Sequence, residues 1–313
     1  MKQYLLASLF AGAVALPAMA DYTIIAPANP GGGWDQTART MQTVMQEDGI
    51  SPSVQVQNVP GAGGTIGLAQ FASQNKGNPD ALIVGGFVMV GAILTNNSPV
   101  SLKDVTPIAR LTGEYEAVVV PAASPIQDMA GLIEALKADP GAVSWAGGSA
   151  GGTDHIAVGL IAKAAGVDPT KINYIAYSGG GEALAAILGN QVTAGVSSLG
   201  EFDAQVKAGT LRLLAVSSPE RIEGADAPTL KEAGLDVELQ NWRMVAAAPG
   251  LTDEQKAKVS GDIEKMVKSE NWQKQLADKG WSDTYLSGAD FDAQLAKDEA
   301  ATAAVLKDIG LVK

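Results

Sequence analysis

Short apolar runs alternate with stretches that have the 3.6-residue periodicity of amphipathic helices. In the first part of the chain the apolar runs are residues 22–26, 54–59, 81–85 and 108–111, and the helical patterns between them are 35–47, 65–74 and 87–96. Strand-length runs that alternate with helices are typical of parallel sheets covered by helices. The pattern therefore predicts an α/β fold.

A second set of the same kind follows an apolar run at 117–120. Its apolar runs are 143–145, 172–176, 194–196 and 211–216, and its helical patterns are 129–138, 155–165, 182–188 and 201–208. The chain ends with one more apolar run, 244–248, and three helical patterns, 253–269, 271–279 and 291–309. These late helices need a sheet to cover, and the first unit is the one with too few helices.

We therefore predict two α/β lobes with two crossings between them. Crossings near 113–121 and 238–243 divide the chain into a first domain of 21–120 with 241–313 and a second domain of 121–240. Two lobes with two connections describe a hinged clamshell. The ligand is expected in the crevice, because α/β sheets bind ligands at the carboxyl ends of their strands.

The first twenty residues have the pattern of a secretory signal peptide. Lys2 is followed by an apolar run at 4–16 and by Ala18-Met19-Ala20, a small-residue cleavage site. No later segment has the roughly 18 uninterrupted apolar residues of a membrane span. We expect residues 1–20 to be removed on export.

Composition excludes several classes of function. The 313 residues include 22 basic and 34 acidic side chains, a net charge of −12, which disfavours nucleic acid and anionic membranes as partners. There is no cysteine and a single histidine, so neither a disulfide framework nor a thiolate or histidine-rich metal site is expected. No cofactor, metal or catalytic group is predicted.

Glycine-rich loops are the candidate chemistry. Residues 30–35, 60–65 and 147–155 each follow an apolar run and open a helical pattern, and 177–182 repeat the arrangement. Without Cβ atoms a ligand can approach the backbone, and a helix N-terminus favours an anion. Asp35 and Asp154 are expected to be N-caps.

No lysine or arginine lies inside the four loops. Binding should therefore rest on backbone N–H groups and hydroxyls. Because several helix N-termini together match two or three negative charges, the ligand should be a small organic di- or tricarboxylate. Glu114, Glu116 and Glu201 are expected to be solvated or close to the hinge. The candidate ligand-binding residues are Gly31, Gly32, Gly33, Trp34, Asp35, Gly63, Gly64, Thr65, Phe87, Ser149, Gly152, Thr153, His155, Tyr177, Ser178 and Gly179.

Several of these motifs, taken together and in order, resemble the substrate-binding proteins of tripartite tricarboxylate transporters, the Bug receptor family. The resemblance is carried by residues 30–35, by Asn58 with 60–64, by 151–155 and 177–183, and by Trp242. The chain departs from the family at Val59, where relatives often have an arginine. The resemblance implies a periplasmic receptor, not an enzyme, with a type II periplasmic-binding-protein (Venus-flytrap) fold, which captures a carboxylate and delivers it to a membrane permease.

One residue bears on the identity of the ligand. Trp34 stands where many relatives have threonine, and in this the chain is similar to the citrate-binding branch. The resemblance therefore favours a citrate-like acid, with a C4 dicarboxylate or an acidic amino acid as the second choice.

Two alternative interpretations concern the same glycines. Residues 147–151 match the G-x-S-x-G motif of α/β-hydrolases, with Ser149 as nucleophile, but His155 is too close in sequence for that triad. Residues 61–67 suggest a dinucleotide loop, but the last glycine is one residue late. The following acid, Asp80, precedes the next strand and could not reach a ribose.

Overall fold

The computed structural model describes residues 22–177 and 179–313. The predicted signal peptide, residues 1–20, lies outside the described residues, and so does Ser178, one of the candidate ligand-binding residues. None of the described helices has the length and hydropathy needed to cross a membrane.

The described residues form ten strands and ten α-helices, with three 3-10 turns at Ala62–Gly64, Leu102–Asp104 and Pro169–Lys171. The strands β1 to β10 are Tyr22–Ala26, Val54–Asn58, Ala81–Gly86, Thr106–Pro121, Ser144–Gly147, Asn173–Ala176, Ala194–Ser198, Leu211–Val216, Gln240–Ala247 and Ser282–Ser287. The helices α1 to α10 are Gly33–Glu47, Thr65–Gln74, Phe87–Thr95, Met129–Ala138, Thr153–Ala164, Gly180–Leu188, Leu199–Lys207, Asp253–Val267, Glu270–Lys279 and Gly288–Asp308.

Two groups of strands share β4. In the first, β2, β1 and β3 are parallel, β9 pairs antiparallel with β3 and β4, and β10 lies antiparallel on β4. In the second, β7 and β8 pair antiparallel with β4, and β5 joins β7 to β6 in parallel. The α/β prediction is confirmed.

The long strand β4 passes from one group to the other. From Thr106 to Tyr115 it pairs with β9, and from Glu116 to Pro121 it pairs with β7 and β8. The sequence pattern divided this strand into two runs, 108–111 and 117–120. The pattern was misleading because polar residues between the runs are buried, among them Thr112 and Glu116.

Each group of strands has its own apolar core. The first core includes Phe71 and Trp272, whereas Val118 and Val120 of β4 pack with Trp145 in the second. The change of core therefore falls within β4, before residue 118. The domain limits at 120 and 240 remain a prediction, and these cores are consistent with crossings in β4 and ahead of β9.

Strand β10 was not predicted. Its sequence, Ser282–Ser287, is mostly polar and half-exposed, and its pairing with β4 is irregular between Asp283 and Leu286. An edge strand of this kind carries little hydrophobic alternation. Predicting β10 would have required the position of its partner strand β4, which the sequence pattern did not give.

The two lobes also touch away from the shared strand. A Cβ added at Gly159 of α5 would lie 2.8 Å from the Ile309 side chain, directly after α10. Lys163 Nζ contacts Asp308 Oδ2 at 2.6 Å, although both side chains are more than half exposed. The end of the chain therefore packs on the second lobe.

A buried ion pair joins β9 to β4 where the chain crosses between lobes. The Arg243 guanidinium pairs with the Glu114 carboxylate, and only 5% of Arg243 and 8% of Glu114 is exposed. Arg243 Nη1 also donates to the Gly33 carbonyl oxygen at 2.9 Å. One guanidinium thus connects β4, β9 and the start of α1.

Arg243→Met should lower the free energy of unfolding by about 3–5 kcal/mol, because it leaves Glu114 buried without its counter-charge. Urea unfolding measures the loss. The matched control is Lys163→Met, which breaks the exposed pair with Asp308 and should cost at most about 1 kcal/mol. Equal losses in the two variants would contradict this account of the crossing.

Candidate ligand-binding site between the glycine loops

The first glycine loop runs into α1 two residues earlier than the sequence indicated. The N-cap is Gly32, and Asp35 is the third helical residue, so the N-cap prediction for Asp35 is wrong. Its Oδ2 instead accepts from the Gly31 N–H at 2.8 Å, while Arg39 and Asn58 also donate to the carboxylate. Burial opposes ionisation of Asp35, but these hydrogen bonds outweigh it and lower the pKa. The carboxylate holds the loop in shape.

The second loop lies against the first. Gly64 has a φ of +89°, which favours glycine, and a Cβ there would be 2.6 Å from the Trp34 ring. Trp34 is only 9% exposed, so its ring packs on the second loop. Thr65, the first residue of α2, donates its hydroxyl to the Ala62 carbonyl oxygen at 2.9 Å.

Helix α3 brings the third loop against the second. A Cβ added at Gly91 would overlap the Gly151 carbonyl oxygen, and one at Gly63 would lie 3.9 Å from Ser149 Cβ. Phe87, the first residue of α3, is mostly buried and meets Trp242 edge to face with ring centroids 6.3 Å apart. The contact between the lobes at this point combines the Gly151 backbone with α3 side chains, since Thr95 lies close to Gly151 and Val88 close to Gly152.

In the third loop, α5 begins at Thr153 after the N-cap Gly152. Asp154 is the second helical residue, so its N-cap prediction is also wrong, and its Oδ2 accepts from the Gly148 N–H at 2.6 Å. The buried Thr153 Oγ1 has no hydrogen-bond partner among the described residues.

His155 lies beside this loop in a neutral state. Its Nδ1 accepts from the Gly151 N–H at 3.2 Å, and its ring stacks on Tyr174 with centroids 4.0 Å apart. Burial lowers the pKa of His155 to about 4. Because Nδ1 accepts, the ring proton is on Nε2, which makes that nitrogen a donor.

The fourth loop completes the arrangement. The Tyr177 N–H donates to the Gly147 carbonyl oxygen at 2.9 Å, and the Gly179 Cα lies 3.9 Å from where a Gly148 Cβ would be. Helix α6 begins at Gly180, with Gly179 as N-cap. The glycine loops before α1, α2, α5 and α6 are therefore contiguous. That their residues contact a ligand stays a prediction.

An acidic cluster beside the loops was not predicted. It consists of Glu114, Glu116, Asp154 and Glu201, of which the first three are buried. Glu114, Glu116 and Glu201 were expected to be solvated or close to the hinge. Glu114 and Glu116 are not solvated, but they do lie on β4, the strand that crosses between the lobes. Burial, followed by the charges of the other three acids, raises the pKa of Glu116 well above its ordinary value. Burial likewise raises the pKa of Asp154 to about 7 and raises that of Glu201.

One signal for the cluster was available in the sequence. Glu114 and Glu116 are two residues apart in an extended segment, so both point to the same face of the strand. What the sequence could not show is that this face meets α5 and α7. In the described part of the chain no three of the His, Asp and Glu side chains are placed to hold a metal ion.

A protein-family model, the tripartite tricarboxylate transporter family receptor, matches residues 37–311. The chain belongs to this family. The receptor is 30% identical to BugT of Bordetella pertussis over 237 residues, which cover 74% of this chain and 71% of BugT.

Solved structures agree with the fold. A protein of R. palustris with adipate has a TM-score of 0.84 at 22% identity and covers 92% of this chain and 97% of its own. MatC of Rhodopseudomonas palustris with bound malate has a TM-score of 0.78 at 21% identity, with 92% and 98% covered. The predicted two-lobed periplasmic-binding-protein fold is confirmed.

The family consists of substrate-binding receptors and not of enzymes, so the prediction that this receptor is not an enzyme is confirmed. The geometry of the hydrolase motif agrees with this. A general base must accept the proton of Ser149, whereas the His155 ring already carries its proton on Nε2 while Nδ1 accepts from Gly151.

Two glycine-to-alanine variants of this receptor should change stability in opposite directions. Gly91→Ala places a methyl group into the Gly151 carbonyl, so the lobes must separate, and we expect a loss of about 1–3 kcal/mol. Gly181→Ala, in α6 with no atom within 4 Å, should gain about 0.5–1 kcal/mol. Thermal unfolding of the two variants and the parent measures these changes in stability. If Gly91→Ala is as stable as the parent, the loop and helix are not packed as described.

The buried acids should make the receptor less stable as the pH rises. Above the ordinary glutamate pKa of about 4.3, the folded state keeps the Glu116 proton that the unfolded state loses, so stability falls with rising pH. His155 has the opposite effect, but only below about pH 6.5, because its pKa is lowered on folding.

We therefore expect the free energy of unfolding to fall by about 1–3 kcal/mol between about pH 6.5 and pH 8.5. Glu116→Gln should flatten this fall. The control is Glu134→Gln on the exposed face of α4, which should keep the parental slope. A flat parental profile would mean that Glu116 is not protonated in the folded receptor.

Proposed function

We propose that this receptor captures a small organic di- or tricarboxylate in the crevice between its lobes. The observation that carries the proposal is the contact among the glycine loops at the start of α1, α2 and α5, with Ser149 close to Gly63 across the crevice. Each helix N-terminus offers about half a positive charge and unpaired N–H donors. Several together suit a ligand with two or three negative charges.

Side chains would add hydroxyl and imidazole donors to these backbone groups. Ser149 and Tyr177 lie on the third and fourth loops and are half-buried, and His155 has Nε2–H as a donor. Trp34 and Phe87 would be apolar walls, since both keep a small exposed fraction. Asp35 would act indirectly, by holding the first loop through Gly31.

Solved relatives support the ligand class. MatC is described with bound malate and the R. palustris neighbour with adipate, both dicarboxylates. The preference for a citrate-like acid depends on Trp34 alone and is the finer part of the proposal. The C4 dicarboxylates and acidic amino acids remain the second choice.

Receptors of this family are periplasmic and work with membrane transporter components. We propose that residues 1–20 direct export and are removed. The loaded receptor would then deliver its ligand to a two-component permease in the inner membrane.

Calorimetric titration at neutral pH with citrate, malate and adipate tests the ligand class. We expect binding of at least one, and a ligand at 100 times its Kd should raise the free energy of unfolding by about 2.7 kcal/mol. Gly152→Val should weaken binding, because its Cβ would lie 2.9 Å from the Ser149 carbonyl oxygen while its φ of −78° is allowed for valine.

Gly32→Val is the equivalent change in the first loop, where the Cβ would be 3.1 Å from the Asn29 carbonyl oxygen. Gly261→Val, in α8 with no atom within 4 Å, is the control and should bind as the parent does. Binding of a neutral sugar or a cationic amino acid, with no carboxylate bound, would reject the proposal.

A further inference from the structure

We propose that Glu201 determines which carboxylates the receptor selects. Its carboxylate occupies the start of α6 in place of a ligand anion and accepts a hydrogen bond from a hydroxyl or ammonium group of the ligand. The inference deepens the proposed function and rests on it. The receptor then prefers carboxylates that carry such a donor over those that do not.

The Glu201 carboxylate lies against the fourth glycine loop. A Cβ added at Gly180, the first residue of α6, would overlap Glu201 Oε2 and would lie 2.7 Å from Ser197 Oγ. A helix N-terminus favours a negative charge, and at α6 the protein itself supplies one. A ligand carboxylate at the same place would be repelled by Glu201.

One oxygen of this carboxylate is engaged and the other is available. Ser197 Oγ, on a residue that is 4% exposed, donates to Oε2, whereas no donor in the described part of the chain bonds to Oε1. Glu201 is half-buried, while the other three acids of the cluster are buried. The next residue, Phe202, is fully buried in the core of the second lobe and fixes the rotation of α7. Oε1 is therefore a positioned acceptor that a ligand can reach.

Glu201 also lies close to the crossing between the lobes. A Cβ added at the preceding residue, Gly200, would be 3.5 Å from Glu114 Oε1. Glu114 pairs with Arg243, which in turn donates to the Gly33 carbonyl oxygen at the start of α1. Glu201 is thus placed between the fourth loop and the ion pair that reaches the first loop.

The chemistry of an ionised carboxylate defines the group it selects. It has acceptors and no donor, so its partner on the ligand must be a donor, a hydroxyl or an ammonium group. A methylene group at that position would leave Oε1 unpaired and shielded from water, which costs affinity. Malate and citrate carry a hydroxyl group, and succinate and tricarballylate are the same two acids without it.

Calorimetric titration of the full receptor with these two matched pairs tests the inference. Burial raises the pKa of Glu201, so the titrations are made at about pH 8, which favours the ionised form. In a pair that binds, we expect the hydroxy acid to bind at least about tenfold more tightly than its partner. Aspartate has an ammonium group where malate has a hydroxyl, so its affinity relative to malate shows which donor Glu201 prefers.

Glu201→Gln removes the charge and keeps the size of the side chain and an oxygen that can accept from Ser197. We expect the preference for the hydroxy acid to fall by about tenfold, because the charge-assisted hydrogen bond is lost. Succinate should bind as well as it does to the parent, or better. If Glu201 only held the fourth loop in place, the variant would weaken both members of a pair equally and leave their ratio unchanged.

Asp203→Asn is the matched control on the same helix. Asp203 pairs with Lys207 at 2.8 Å, with both side chains exposed, so its loss should keep the parental ratio. Equal affinity of the unmodified receptor for both members of each pair, or an unchanged ratio in Glu201→Gln, would overturn the inference while leaving the proposed function intact. No binding of any carboxylate would reject the proposed function, and the inference with it.

Discussion

The position of one buried guanidinium constrains both the crossing between lobes and the first glycine loop. Arg243 pairs with Glu114 on the neighbouring strand and donates to the Gly33 carbonyl oxygen. A Cβ added at Gly33 would lie 2.5 Å from its Nη2. Trp281 covers the guanidinium from another side, 5.7 Å from the ring centroid to Cζ. The glycine at 33 is therefore required by packing against a charge.

This changes the interpretation of the glycine loops as a whole. Their sequence suggests that glycine is there to expose N–H groups, and α1, α5 and α6 do begin directly after glycine N-caps. Several of the glycines are nevertheless contact surfaces. Gly64 receives the Trp34 ring and Gly91 receives the Gly151 carbonyl. At Gly91 and Gly151 the lobes can approach closely because neither residue carries a Cβ, and this contact brings the third loop against α3.

The fold was accessible from sequence because its strands are apolar and its helices amphipathic. Strands such as Tyr22–Ala26 and Leu211–Val216 were placed as the structure has them, since most of their residues are apolar and buried. The crossing strand β4 was divided and β10 was missed because both contain polar residues where the periodicity method requires apolar ones. Hydrophobic patterning detects burial only when the buried groups are apolar.

The site was less accessible, and the reason is physical. Glycine loops are visible in sequence, because few other residues allow such close approach of backbone. The N-caps and the acids depend on tertiary neighbours. Asp154 could accept a hydrogen bond from its own helix or from the loop before it, and only the position of Gly148 decides. The sequence does not show whether Glu116 faces water or the protein interior, and its raised pKa follows first from burial and then from the charges of the neighbouring acids.

The acids also explain how a chain of net charge −12 can hold an anion. Exposed acids beyond a Debye length of about 8 Å are largely screened, but those beside the loops are buried and would not be. Burial penalises their charged forms, so Glu116 keeps its proton, while Glu114 has Arg243 as counter-charge. Burial away from water would strengthen the repulsion between ionised acids and an anionic ligand. The same burial raises the pKa values of these acids, so the cluster is not fully ionised. The crevice is therefore much less negative than the number of its carboxyl groups suggests.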